Sequence, residues 1–192
     1  MIVFNNLNNA FKNTSIIFID AQVKTTKFVG NNDLLFLVDD NNKVGSVNVL
    51  NNEIFNIDPN SKYGALNQLQ KDILTQRASD LGLTISDEPK FIYGKIIARD
   101  NHPKSEKLFV LQIEIAQDKA IQLVTNTLDS EVNKVVVLAL PGSTTFAGTN
   151  VLSGELLGVK SFGMLTGHRT LDFDKDGLIF GTDDKIGKDF EF

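Results

Sequence analysis

Six consecutive apolar residues, Val135 to Leu140, stop abruptly at Pro141-Gly142. A strand with one wet face alternates apolar and polar residues. A continuous run must be covered on both sides or closed into a barrel. Pro then removes a backbone donor and Gly frees the chain to turn. This run needs neighbours, and the surrounding sequence supplies them. Phe91 to Ala98 and Leu108 to Ile115 alternate well enough for one buried face, and Ala120 to Val124 follows a turn at Gln117-Asp118-Lys119. Val151-Leu152 and Leu156-Leu157 bracket Ser153-Gly154-Glu155, and Val159 to Leu165 ends at Thr166-Gly167. From Lys90 onward there is no long helical pattern. A small closed antiparallel barrel is expected, with an open sandwich as the other arrangement that such a strand count allows.

The amino-terminal part has a different texture. Its first 67 residues hold 15 of the 19 Asn, several in pairs such as Asn31-Asn32, Asn41-Asn42 and Asn51-Asn52. Asn suits turns because it bonds nearby backbone and tolerates the left-handed region; genomic base bias would enrich it as well. Between the pairs, Ser15 to Ile19 and Leu34 to Val38 read as strands, and Lys43 to Leu50 follows a hairpin turn at Asp39 to Asn42. Leu66, Leu69, Ile73, Leu74 and Leu81 recur at helical spacing, with Gly82 as a stop. Ser86-Asp87-Glu88-Pro89 interrupts the pattern. The expected fold class is therefore an α+β amino-terminal domain over residues 1–86. An all-β barrel domain with a short carboxy-terminal extension follows over residues 90–192.

Composition removes several functions. The 192 residues include no Cys and two His, so thiolate chemistry, Cys-bound metal and a three-His metal site are excluded. No stretch approaches the roughly 18 apolar residues of a membrane span, and Met1-Ile2-Val3-Phe4 lacks the basic start of a signal peptide. A cytoplasmic chain with no membrane partner and no cofactor is expected. Gly-X-Ser-X-Gly, Gly-X-Gly-X-X-Gly, His-Glu-X-X-His and Walker loops are all missing, so no enzymatic activity is expected. Asp172, Asp174 and Asp176 imitate the start of a calcium loop, with Gly177 at its sixth position and Asp183 at its twelfth. Ile179 and Phe180 fall among the positions expected to carry ligands, so a solvated acidic turn is the better reading.

Net charge is -5, which argues against indiscriminate binding to nucleic acid. The distribution is uneven: residues 1–88 carry 7 basic and 10 acidic side chains, residues 89–169 carry 9 and 7, and residues 170–192 carry 3 and 7. In the only positive stretch, Arg99-Asp100-Asn101-His102-Pro103-Lys104-Ser105-Glu106-Lys107-Leu108 is the densest polar segment. Arg99, Lys104 and Lys107 can meet phosphate oxygens, and His102 can donate, accept or stack on a base. An ordinary solvated hairpin loop shaped by one His fits the same composition. Further on, Phe162 and Met164 flank Gly163, a pattern that suits core packing or a stacking surface.

Five segments in this order carry a resemblance. They are Tyr93-Gly94-Lys95; His102 to Leu108; Ile121-Gln122-Leu123-Val124-Thr125-Asn126; Val135 to Gly142; and Leu157-Gly158-Val159-Lys160-Ser161-Phe162-Gly163-Met164-Leu165. Residues 91–169 resemble the tRNA-binding domain shared by synthetase arms and free-standing tRNA-binding proteins. The version near the start of the bacterial phenylalanyl-tRNA synthetase beta subunit is the nearer match. With its extra amino-terminal domain, the whole chain is similar to the YtpR-like stand-alone tRNA-binding proteins of low-GC Gram-positive bacteria. The resemblance implies an oligonucleotide-binding (OB) barrel that recognises tRNA by shape and backbone without catalysis. It implies backbone contacts from Lys107 and Ser161, with Lys104 and Lys160 as electrostatic support; Arg99, His102, Ser105, Asn126 and Arg169 complete the expected set of RNA-binding residues. Where related sequences carry Cys-Gly-Ala-X-Asn, this one has Thr125-Asn126-Thr127-Leu128-Asp129, placing a carboxylate where an amide is usual. A protein-interaction or assembly module that keeps the barrel is the alternative, with residues 1–86 as the surface for a protein partner. The sequence allows homo-oligomerisation without specifying it.

Overall fold

A computed structural model describes residues 1–192. The chain is mostly β-structure with one α-helix, and no helix is long and apolar enough to cross a membrane. It divides into two compact units, one of Met1–Glu88, Gly142–Asn150 and Phe192, the other of Pro89–Pro141 and Val151–Glu191.

In the first unit, β1 (Val3–Asn6), β2 (Ser15–Phe18), β3 (Lys27–Gly30), β4 (Leu34–Val38), β5 (Val44–Val49) and β6 (Tyr63–Ala65) form one sheet in the order β3-β4-β5-β2-β1-β6. Every pairing is antiparallel. The Asn-rich segments do what their chemistry favours. Asn13, Asn42 and Asn56 adopt positive φ, and the Asn31 side chain accepts from the backbone of Asp33 and Leu34 to close a tight turn. Alternation places Ile17, Leu34, Phe36, Val38, Val47 and Val49 on one face, where they build the core with the helix. Beside it, the buried carboxylate of Asp20 accepts from Lys43 Nζ at 2.7 Å. That hydrogen bond holds the Lys43 ammonium above its ordinary pKa despite partial desolvation. A raised lysine contributes stability below its unfolded-state pKa and loses it as pH rises through the folded-state value.

The helix α1 (Gln68–Ser79) begins at Asn67, whose side chain accepts from the Gln70 amide while Gln70 Oε1 accepts from the Asn67 amide. Its apolar residues do not form the single stripe expected from spacing. Leu74 and Ala78 are buried against the sheet, whereas Leu69 is 70% exposed and Leu81, beyond the helix end, is 46% exposed. Leu69 and Leu74 lie five positions apart, about 140° around the axis at about 100° per residue. One face cannot hold both. The segment 142–150 also belongs to this unit: Tyr63 donates to the Thr144 carbonyl at 2.8 Å, and Asn5 Nδ2 to the Phe146 carbonyl at 2.9 Å.

The second unit is built from β7 (Phe91–His102), β8 (Ser105–Ala116), β9 (Lys119–Thr125), β10 (Val135–Ala139), β11 (Ser153–Leu156), β12 (Val159–Phe162) and β13 (Met164–Leu165). Five of these form a curled sheet in the order β13-β10-β7-β8-β9, and β11 and β12 form a separate hairpin. All five residues of β10 are buried, as the apolar run demands. The expected closed barrel is corrected to a curled sheet that does not close, because β9 and β13 remain its two unpaired ends. Side chains cross the gap instead. The Ser161 hydroxyl accepts from the Val124 amide at 3.0 Å and donates to the Gly163 carbonyl at 3.3 Å, while Gln122 Nε2 donates to the Lys160 carbonyl at 2.7 Å. Gly163 makes the approach feasible. Its φ is +132°, and a Cβ there would lie 2.6 Å from the Ala139 carbonyl oxygen. A bulge between Ile96 and Ala98 in β7 leaves Ile97 47% exposed and resets the alternation beyond it.

The helix orientation yields a direct comparison. Leu74→Ala is expected to cost about 2–4 kcal/mol because it opens a cavity in a closed core. Leu69→Ala should change stability by less than about 0.5 kcal/mol. Urea unfolding of both variants measures the contrast, and equal losses would refute the assigned buried face.

Candidate nucleic-acid interface

The polar segment expected as a loop is mostly strand. β7 and β8 run to His102 and Ser105, which pair with each other, leaving a two-residue turn at Pro103-Lys104. Lys104, Glu106 and Lys107 are exposed and Ser105 is half-buried. Ser105 Oγ accepts from the Lys107 amide at 3.3 Å, so this hydroxyl shapes the start of β8.

His102, read from the sequence as part of a solvated loop, is buried, with 4% of its surface accessible. Its Nδ1 accepts from the Lys104 amide at 3.1 Å, which leaves Nε2 as the protonated nitrogen of a neutral ring. That nitrogen lies 3.0 Å from the Leu156 carbonyl and donates to it. Leu156 opens the turn Leu156-Leu157-Gly158-Val159 between β11 and β12, in which Leu157 and Gly158 both take positive φ. Lys104 Nζ reaches the same turn, 3.3 Å from where a Gly158 Cβ would stand. The β7–β8 turn and the β11–β12 hairpin, remote in sequence, are thus held together by one imidazole.

The charges near this junction differ in their freedom. Lys104, Lys107 and the exposed Lys160 make no ion pair within the chain. Arg99 is half-buried and stacks over Phe109, its guanidinium carbon 3.7 Å from the ring centroid, with Nε buried and unpartnered. Its strand partner Leu111 lies in the core, so Arg99 and Phe109 project from the inner face of the curled sheet. Asn126 is exposed just beyond β9. Arg169 is exposed but already committed, donating to Asp176 at 3.1 Å through Nε and to Asp174 at 2.7 Å through Nη1. Asp176 and then Asp174 push its pKa up. The acidic turn that imitated a calcium loop is the clamp around this guanidinium, and no group of three or more His, Cys, Asp or Glu could hold a metal.

Sequence reasoning missed Phe109, Gln122 and Leu156. Phe109 had a signal, since it shares the phase of Leu111 and Ile113 along β8. Leu156 had none, because it contributes only a carbonyl.

Two hairpin turns are thus pinned at one end of a curled sheet, with unpaired cations around them. The tRNA-binding domain family, described as "Putative tRNA binding domain", matches residues 91–189, and the chain belongs to it. Among curated relatives, the phenylalanine–tRNA ligase beta subunit of Clostridium acetobutylicum is 32% identical over 57% of this chain and 14% of that protein. The "Putative tRNA-binding protein YtpR" of Bacillus subtilis is 27% identical over 63% of this chain and 62% of that protein. The chain therefore spans from about one-seventh to less than two-thirds of these relatives. A MetRS-related protein from Pyrococcus horikoshii, known from its crystal structure, is 20% identical over 52% of this chain and 87% of that one, with a TM-score of 0.39.

Replacing His102 by Leu should strip partners from the Lys104 amide and the Leu156 carbonyl, costing about 1–3 kcal/mol. Hydrogen exchange at the Lys104 amide should accelerate, whereas Lys104→Ala should leave the thermal melt unchanged. Unaltered exchange in a folded His102→Leu protein would show that the imidazole does not hold the junction.

Proposed function

We propose that this protein is a non-catalytic tRNA-binding protein that reads tRNA shape and phosphate backbone. In this reading residues 90–192, apart from the 142–150 segment and Phe192 that join the first unit, are an OB-type domain whose barrel is left open, and residues 1–86 form an α+β domain. Its place is the cytoplasm. The observation that carries the reading is the pinned junction of the two turns, with Lys104, Lys107 and Lys160 around it and no intramolecular ion pair to quench them. Free lysines release condensed counterions when they meet phosphates, which gives affinity without sequence preference. Family membership supports a role in binding RNA.

The half-buried guanidinium of Arg99 adds a donor set on the inner face of the sheet. Ser105 and Asn126 flank the same end of β8 and β9, where Phe109 pairs with Thr125. Ser161 acts through the gap it spans, and His102 through the turns it joins. Arg169 contributes less to the local potential, because two carboxylates already neutralise it.

A tRNA titration at two salt concentrations tests the proposal. Lys107→Glu should weaken binding to unrelated tRNAs by a similar factor of about 3–10 and lower the salt slope by about one. Lys104→Glu should act in the same direction, and Arg169→Gln should change affinity by less than about twofold. A wild-type protein that binds no tRNA at low salt defeats the function, and unchanged affinity in folded Lys107→Glu removes that residue from the interface.

A further inference from the structure

Arg99 is a cation that the chain positions but does not use. Its Nε is buried with no partner, and its terminal nitrogens make no hydrogen bond or ion pair within the chain. Buried polar groups ordinarily find partners, so a half-buried guanidinium with every donor unsatisfied is out of place unless an outside acceptor completes it. Its position is nevertheless fixed, with the guanidinium carbon 3.7 Å from the centre of the Phe109 ring. Asn101 on β7 and Thr125 on β9 both stand opposite Phe109 on β8, and residues directly opposite share one side of a sheet. Arg99, Leu111 and Leu123 form the next row, where the core begins. The end of the inner face therefore carries an aromatic ring, a guanidinium stacked on it and the exposed Asn101 amide, which no hydrogen bond within the chain claims. We propose that Arg99, Phe109 and Asn101 form a base-reading subsite that takes one unpaired guanine of a bound RNA.

The subsite rests on the RNA-binding reading and adds a base preference to contacts otherwise made through shape and backbone. The side chains favour a base over a further phosphate. A phosphate diester offers acceptors only, so the Asn101 carbonyl oxygen and the Phe109 ring would gain nothing from it. A nucleobase has a flat face to lie against the guanidinium plane and an edge that carries donors and acceptors together. Guanine suits Arg99 best, because N7 and O6 are adjacent acceptors for its fork, whereas adenine has a donor in place of O6. The base must be unpaired, since the deep, narrow major groove of an RNA helix keeps that edge from a side chain. Apolar neighbours strengthen the pair, because hydrogen bonds from a charged donor gain as water is excluded. Lys107 stands two residues before Phe109, at most about 7 Å along the strand. It is placed to hold the phosphate of the same nucleotide or the next.

Titrating the full chain at low salt with an oligouridine that carries one central guanosine, adenosine or 7-deazaguanosine tests this directly. The wild type should bind the guanosine oligonucleotide about tenfold more tightly than the adenosine one. With 7-deazaguanosine, which lacks the N7 acceptor, binding should weaken at least about threefold. Arg99→Lys keeps the charge but loses the fork, so its guanosine preference should fall to within about twofold while the salt slope stays the same. Lys107→Glu should weaken binding to all three oligonucleotides and leave the preference intact. Circular dichroism identifies which variants are folded, and the 7-deazaguanosine comparison needs the wild type alone. Equal affinity of the wild type for all three oligonucleotides, or an undiminished preference in folded Arg99→Lys, overturns the subsite and leaves the backbone-reading function standing. Binding to tRNA without binding to any oligonucleotide likewise overturns the subsite alone, whereas failure to bind tRNA as well removes the function with it.

Discussion

A strand with five consecutive buried residues leaves nothing of itself to water, and the second unit is arranged around that demand. β10 pairs with β7 on one edge and β13 on the other. Val136 and Leu138 point into the core of the curled sheet. Val135, Val137 and Ala139, on the opposite face, are equally buried. The last twenty residues supply much of the cover. Val137 donates to the Ile179 carbonyl and Gly181 to that of Val135, and farther on Tyr93 donates to Lys188 and Phe190 to Phe91. What reads in sequence as a short extension is a lace along the outside of β7 and β10. Burying an alternating strand needs one layer, whereas burying this one needs two.

The open edge of the same sheet explains why the interface has its composition. Backbone pairing ends at β9 and β13, so side chains must carry the polar contacts across. Ser161 is short enough to reach the Val124 amide from β12, and Gly163 lets the chain pass close to Ala139. The β11–β12 hairpin is thereby held beside the β7–β8 turn, where His102 completes the lock with a buried neutral ring. Lysines can then remain unpaired at the surface because no structural task claims their charge. Arg169 shows the opposite case: within seven residues of it, two aspartates take up its guanidinium.

Much of this was legible beforehand. Strands at Leu34–Val38, Val135–Ala139 and the cores of β7, β8 and β9 followed from apolar pattern and turn residues, and the ordered motifs gave the family. The short strands β1, β3 and β6 were not expected, because none of them carries an apolar run like the one that marked β2. The helix was found but its face was not, since Leu69 and Leu74 both satisfy a loose count of spacing while lying on different sides. His102 was placed at the surface because a polar ring in a charged segment looks solvent-facing. Its burial depends on a carbonyl 54 residues away, which no local pattern encodes.

The sequence by itself determined which segments are extended, where the chain turns and which strand must be buried on both faces, because these follow from side-chain period, Asn and Gly chemistry and local sterics. It also determined the reservoir of cations, since charge is a property of residue type. Tertiary structure decided which cations stay free, which face of the helix is wet, and that the curled sheet stays open with a serine across the gap. Those outcomes rest on distances between residues far apart in the chain: a guanidinium is neutralised, or an imidazole buried, only where folding brings the partner within hydrogen-bonding reach.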